Sequence, residues 1–191
     1  MTEPVPPEVR LNFPSGGGDG WRGPPEVELK AAARAALRTG RAAPAREAAA
    51  GQGGEAAAGQ AREAAAGQDR EAGGGAAGEG AEISVTFLPA ESMRALNRDY
   101  HGVDDVTDVL AFGLGEDPLV GDIYISPEAA ETSAREMGLD PGEEVLRLLI
   151  HGILHLLGHD HPEGEARYAS PMFELQEGLL ARLLADFRGR A

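Results

Sequence analysis

With 191 residues, 42% of them hydrophobic and 26% charged, the chain has the size and composition of one globular domain with its own core. It contains no cysteine, which excludes a disulfide framework and leaves His, Asp and Glu as the side chains for any metal site. The formal net charge is −15, and from Glu82 onward 21 acidic residues stand against 8 arginines, so a tight, non-specific nucleic-acid binder is disfavoured and any such contact has to use a local basic patch. No run of about 18 apolar residues occurs, so no membrane span is expected. The N-terminal "MTEPVPPEVR" lacks the basic and apolar regions of a signal peptide, and the expected compartment is the cytoplasm.

The first element is "PEVRLNF", where Val9, Leu11 and Phe13 alternate with Arg10 and Asn12 in the period of a half-buried strand. "PSGGGDG" breaks it, and "PPEVELKAAARAALRTG" follows as a helix. Its prolines suit a first turn, Glu26 and Glu28 sit near the positive end, and Gly40 offers a left-handed C-terminal residue. Leu29, Ala33, Ala36 and Leu37 form its apolar face, and Lys30, Arg34, Arg38 and Arg41 form a basic stripe beside it. The stripe reads either as a solvated charged face or as a ligand surface. Residues 42–80 differ in kind. "AREAAAGQ" occurs at Ala45–Gln52 and again at Ala61–Gln68, and neither aromatic nor branched apolar residues are present. Such a segment cannot bury enough surface to offset its ordering entropy, and its units are too short for a solenoid. It is expected to be a disordered insert.

Order resumes at "EISVTFLP", an alternating strand, and continues with "AESMRALNRDY" as a short helix and "TDVLAF" and "GDIYIS" as strands. "SPEAAETSAREMG" carries a Ser126 cap, Pro127 at the first helical position and Gly138 at the end. "DPGEEVLRLLIHGILHLLG" opens on a capping box, Asp140 with Glu143, and stops at Gly158. A last helix, around Pro171 to Phe187, presents Leu175, Leu179, Leu180 and Leu183. Strands and helices alternate around one core, so the expected fold is α+β, with a small mixed sheet of about four strands packed on helices. Residues 1–41 supply the first strand and helix, 42–80 the insert, and 81–191 the core that carries the site.

Four of the five histidines fall within "HGILHLLGHDH". His151 and His155 are four apart on one helix face, with Cβ atoms about 5–6 Å apart, close enough to converge on one ion. A left-handed Gly158 turns the chain back and brings His161 round as a third ligand. Three histidines with one open position form the donor set of a catalytic zinc site, where the metal lowers the pKa of bound water to about 7. His159 points elsewhere on the turn and is expected to be exposed and not to bind the metal. The spacing H-x-x-x-H-x-x-G-x-x-H is also that of the metzincin proteases, but their general-base glutamate is replaced by Gly152. A working metalloprotease is therefore disfavoured, and Met172 is weak support for a Met-turn.

The same stretch, H-G-x-L-H-L-x-G-H-D-H, resembles the signature of the YbeY family of bacterial endoribonucleases, also called ribosomal RNA maturation factors. "LNRDYHGVDDVTDVLAF" is similar to that family's L-N-x-x-Y-R-x-x-D-x-x-T-D-V-L-S-F block, and "GDIYISPE" to its G-D-I-x-I-S block. The likeness runs from about Glu82 to Leu183. It implies a single-metal hydrolase of single-stranded RNA that matures the 3′ end of small-subunit ribosomal RNA and contributes to ribosome quality control. The ribosomal RNA precursor and the small subunit are the implied partners, and His151, His155 and His161 are the implied ligands of one Zn²⁺.

Two positions depart from the family pattern. Ala111 replaces a serine, and His101 replaces an arginine suited to a phosphodiester by its planar, permanent charge. His101 can supply that charge only when protonated, can act as an acid or base, or is an exposed loop residue. Gly102 and Asp104 read as turn-formers. Asp108 is open to three roles: a cap, a partner for a ligand's second nitrogen, or a solvated carboxylate. The expected function is a zinc-dependent endoribonuclease with His101 as charge-bearing helper and Lys30, Arg34 and Arg38 as RNA contacts. The rivals are a non-catalytic ribosome-assembly factor braced by a structural metal and, behind it, the protease.

Overall fold

A computed structural model describes residues 7–13, 23–42, 80–116 and 118–189. The elements are β1 (Glu8–Asn12), α1 (Glu26–Ala42), β2 (Glu82–Phe87), α2 (Ala90–His101), β3 (Val109–Glu116), β4 (Leu119–Ile125), α3 (Pro127–Met137), α4 (Pro141–Leu156), a 3₁₀ turn (Gly164–Ala169) and α5 (Pro171–Arg188). The repeats expected to form a disordered insert lie outside the described residues.

The four strands form one mixed sheet in the order β1-β2-β4-β3. β1 pairs parallel to β2 and β2 parallel to β4, while β3 returns antiparallel to β4. Parallel neighbours need a crossover, and α1 supplies it between β1 and β2. The α+β fold with a four-stranded mixed sheet is as expected, and the first strand and helix belong to the same core as the rest of the chain. Alternation decides the two faces. Ile83, Val85 and Phe87 of β2 and Ile123 and Ile125 of β4 are fully buried, joined by Leu29, Ala33 and Ala36 of α1 and Leu149, Ile150 and Ile153 of α4. On the opposite, polar face the Asn12 amide donates to the hydroxyls of Ser84 and Thr86.

α4 is the central helix, packed on β3 and β4 and flanked by α1, α3 and α5. Its position is fixed by two glycine contacts. A Cβ on Gly152 would lie 3.1 Å from Ile123 Cγ2, and one on Gly121 would lie 2.7 Å from Leu156 Cδ1, so helix and strand approach closely only because both positions lack a side chain.

Three local expectations need correction. α1 does not end at Gly40 but runs through it to Ala42, and Gly40 is not among the positive-φ glycines. A Cβ there would meet Leu157 Cδ1 at 2.5 Å, so close packing of α1 against the end of α4 accounts for the glycine. β3 does not stop at Phe112 but continues to Glu116 through a bulge between Gly113 and Gly115. Asp140 caps α4 by accepting from the main-chain N–H of Gly142 and Glu143, but the Glu143 carboxylate takes a hydrogen bond from Arg188 instead of closing a capping box. Ser126, Pro127 and left-handed Gly138 bound α3 as expected.

Candidate metal centre and its cavity

α4 ends in a Schellman motif. Gly158 takes φ 82, its N–H donates to the His155 carbonyl at 2.9 Å, and the His159 N–H donates to the Leu154 carbonyl at 3.0 Å. This reversal carries the chain back over the helix end and places His161 beside His151 and His155. The ligand atoms of the three rings all lie within 4.8 Å of one another. His151 Nε2 is 3.0 Å from His155 Nε2 and 3.4 Å from His161 Nε2, so the three Nε2 atoms face one point.

Two of the rings are tied outward on their other side. His151 Nδ1 donates to Gln176 Oε1 at 2.8 Å, and His161 Nδ1 donates to the Pro162 carbonyl at 3.0 Å. An amide or carbonyl oxygen can only accept, which fixes the proton on the outer nitrogen of His151 and His161 and leaves the Nε2 lone pair pointing in. Burial holds the His151 imidazole below the ordinary histidine value, with Gln176 working the other way. Burial, reinforced by the neighbouring His151 and His161 rings, pushes His155 down to about 4. Both rings are neutral near pH 7, the state in which imidazole binds a metal. Three nitrogen donors that face one point, with no fourth protein donor in the cluster among the described residues, fit one transition-metal ion with an open position.

The trio opens into a cavity of about 260 Å³, lined by His151 and His161 on one side and by residues of α3, α5 and the 3₁₀ turn on the other. Its deeper wall carries Glu144, Arg147 and Glu177. Arg147 donates to Glu177 Oε1 at 2.9 Å and also pairs with Glu144, whose carboxyl is pushed up by burial and drawn back only in part by Arg147. Gln176 joins this cluster to the histidines, since its amide donates to Glu177 while its oxygen holds His151.

The remaining candidates fall elsewhere. His159 is half-buried, not exposed: its Nε2–H donates to the Gly40 carbonyl at 2.9 Å and ties the α4 turn to the end of α1. It is not part of the cluster. His101 is exposed at the end of α2, its ring 6.4 Å from that of Phe112, and it does not line the cavity. Lys30 pairs with Glu26 at 2.6 Å, while Arg34 and Arg38 are exposed on α1 and likewise do not line the cavity. Gly102 takes φ 71 as the C-cap of α2, as a turn-former does, while the Asp104 carboxylate accepts from the Arg94 guanidinium at 2.9 Å. Asp108 lines the cavity and accepts from its neighbour Val109 at 2.8 Å; the second nitrogen of His151 is paired to Gln176 instead. Sequence reasoning missed Gln176 and Arg167. Gln176 lies 25 positions from His151 and meets it only through the packing of α5 on α4.

The model of the family described as Endoribonuclease YbeY matches residues 60–184. The chain belongs to the YbeY family. It is 41% identical over 115 residues to Endoribonuclease YbeY of Persephonella marina, covering 57% of this chain and 74% of that protein. It is 44% identical over 117 residues to the Geobacillus kaustophilus protein of the same name, covering 54% and 74%. Among solved structures, the solution structure of Thermotoga maritima TM1509 aligns over 95% of this chain and 93% of that one, with TM-score 0.54 and 24% identity, which supports the fold. Membership of this endoribonuclease family and the open three-histidine cluster agree on a nuclease hydrolase.

Proposed function

We propose that this chain is a zinc-dependent endoribonuclease that cuts single-stranded RNA. Its process is maturation of the 3′ end of small-subunit ribosomal RNA and ribosome quality control, in the cytoplasm. The observation that carries this reading is the inward-facing Nε2 trio at the mouth of a cavity, in a chain of the YbeY family. His151, His155 and His161 would hold the ion, and the ion, when bound, supplies Lewis acidity and an acidified water. The protein's part is orientation. Gln176 and the Pro162 carbonyl keep the rings in one tautomer, and the cavity wall limits solvent access. His101 is proposed as a charge-bearing helper toward the phosphodiester, and Lys30, Arg34 and Arg38 as a basic stripe that contacts the RNA outside the cavity.

A second reading, a ribosome-assembly factor with a structural metal, is favoured by His101 in place of the family's arginine and by the acidic charge. It is opposed by the donor count, because structural zinc sites are closed by four protein ligands. The test is turnover of an unstructured, fluorescently labelled RNA by the full chain with one equivalent of zinc. Multiple turnover, lost in His151→Ala, supports the enzyme. Co-sedimentation with small ribosomal subunits without any RNA cleavage would favour the assembly factor.

A further inference from the structure

The cavity has a second wall that the metal ligands do not use. The 3₁₀ turn Gly164–Ala169 places Arg167 and Tyr168 on it, together with Phe173 from the first turn of α5. Tyr168 is 51% exposed, large for an aromatic ring lining a cavity. Its ring is held from two sides. The Phe173 ring meets it edge-on with centroids 5.3 Å apart, and the Arg167 guanidinium sits 4.8 Å from its centroid while donating to its hydroxyl at 2.8 Å. Two features of Arg167 stand out. Among the described residues it forms no ion pair with a carboxylate, whereas Arg147 in the same cavity is held by two. It also lines the same cavity as His151. Across the cavity, Met137 at 53% and Leu139 at 37% exposure give an apolar rim.

A held, exposed aromatic ring, a guanidinium without a carboxylate partner and an apolar rim form a slot for one flat, unpaired base with its phosphate. Charge alone would not retain RNA here, because Glu163 caps the turn and Glu165 lies within it, in an acidic chain. Stacking on a π-face does not depend on net charge and tolerates any base. A duplex cannot use the slot, since its bases are already stacked on one another.

We propose that Tyr168 and Arg167 form a nucleotide subsite beside the metal centre, in which Tyr168 stacks one unpaired base and Arg167 binds the adjoining phosphate. The proposal rests on the endoribonuclease reading and supplies it with a determinant of single-strand preference.

The test uses the zinc-loaded full chain and an unstructured RNA, read both as cleavage and as binding by fluorescence anisotropy. Tyr168→Ala should raise KM roughly five- to a hundredfold, the range for loss of one stacked base, with a much smaller change in kcat. Tyr168→Leu keeps the packing on Phe173 without a π-face and should behave like Tyr168→Ala, whereas Tyr168→Phe should stay near the parent. Abasic nucleotides are then walked along the RNA. At one position the abasic RNA should bind the parent as weakly as intact RNA binds Tyr168→Ala, with no further loss when both changes are combined. The subsite is overturned if Tyr168→Leu keeps the parental affinity, or if every abasic penalty is the same in parent and variant. Absence of cleavage by the parent would overturn the ribonuclease reading instead, and the anisotropy cycle would still decide the subsite.

Discussion

Replacing Gln176 with leucine should weaken zinc binding without unfolding the protein. Gln176 is 4% exposed, so no water can take the place of its carbonyl beside His151 Nδ1. In Gln176→Leu the tautomer that offers Nε2 to the metal carries a buried, unpaired N–H, at a cost of about 1–3 kcal/mol. That cost falls on metal binding, because the metal-free ring can relax to the other tautomer and avoid it. The affinity should drop about ten- to a hundredfold, the usual effect of removing such a partner. Leucine has similar volume, and Glu177 keeps Arg147 when the Gln176 amide is gone, so the packing of α5 on α4 persists. Competition for zinc against a chromogenic chelator at pH 7.5 measures the loss, with circular dichroism of the metal-free forms as the check on folding. Gln176→Glu retains an acceptor and should bind zinc at least as tightly as the parent. A folded Gln176→Leu protein with parental zinc affinity would refute the tautomer argument.

Alanine at His151, His155 or His161 should strip most of the metal on elemental analysis. His159→Ala should keep it and lose only about 0.5–1.5 kcal/mol of stability, because its ring bonds the Gly40 carbonyl. The metal-free protein should lose stability as pH falls from about 6.5 toward 4, since the unfolded chain protonates His155 first while the folded one resists. The limit is about 3 kcal/mol, read from urea midpoints across that range, and a flat profile would show that the ring is not held neutral. If His101 is the charge-bearing helper, His101→Arg should keep or raise cleavage and His101→Ala should lower it; parental activity of His101→Ala from pH 6 to 9 would dismiss His101. Reversing Arg34 and Arg38 to Glu should weaken RNA binding with metal content unchanged, and the parent's salt slope should be shallow, near −0.7 per phosphate contacted. Unaltered affinity would make the stripe a solvated face.

What the sequence revealed was local. The trio could be read because two ligands share a helix face four residues apart and the third follows a glycine whose left-handed turn the spacing itself requires. Ser126, Pro127 and Gly138 bound α3 by rules that act within one turn. The failures lie where a distant partner decides. Gly40 has the residue type of a helix end, but Leu157 of α4 occupies the space its Cβ would need, and the helix continues. The strand read from "TDVLAF" stops at Phe112, yet pairing with β4 carries the ladder on through a bulge between Gly113 and Gly115. Arg167 and Tyr168 sit in a short 3₁₀ turn with no periodic pattern, and only the cavity gives them meaning.

The ligand spacing specifies a metal and leaves the reaction open. In a metzincin the residue after the first histidine is the base; in this chain it is Gly152, pressed on β4 with its missing Cβ 3.1 Å from Ile123 Cγ2 and 3.3 Å from Cδ1. A glutamate there would make the Ile123 side chain give by a few tenths of an ångström and would bring a carboxylate to a buried position among aliphatic groups, at the cost of desolvating it. The substitution that would restore a protease base therefore works against the packing that builds the metal centre. Proton-handling groups have to come from the cavity side. Of the three carboxylates lining it, Glu144 and Glu177 are held by Arg147, while Asp108, among the described residues, has no arginine partner and lies close enough to His151 for its charge to be felt there. The carboxylate open to the cavity is thus supplied by the start of β3, and the protease position on the helix is closed by the same contact that seats α4 on the sheet.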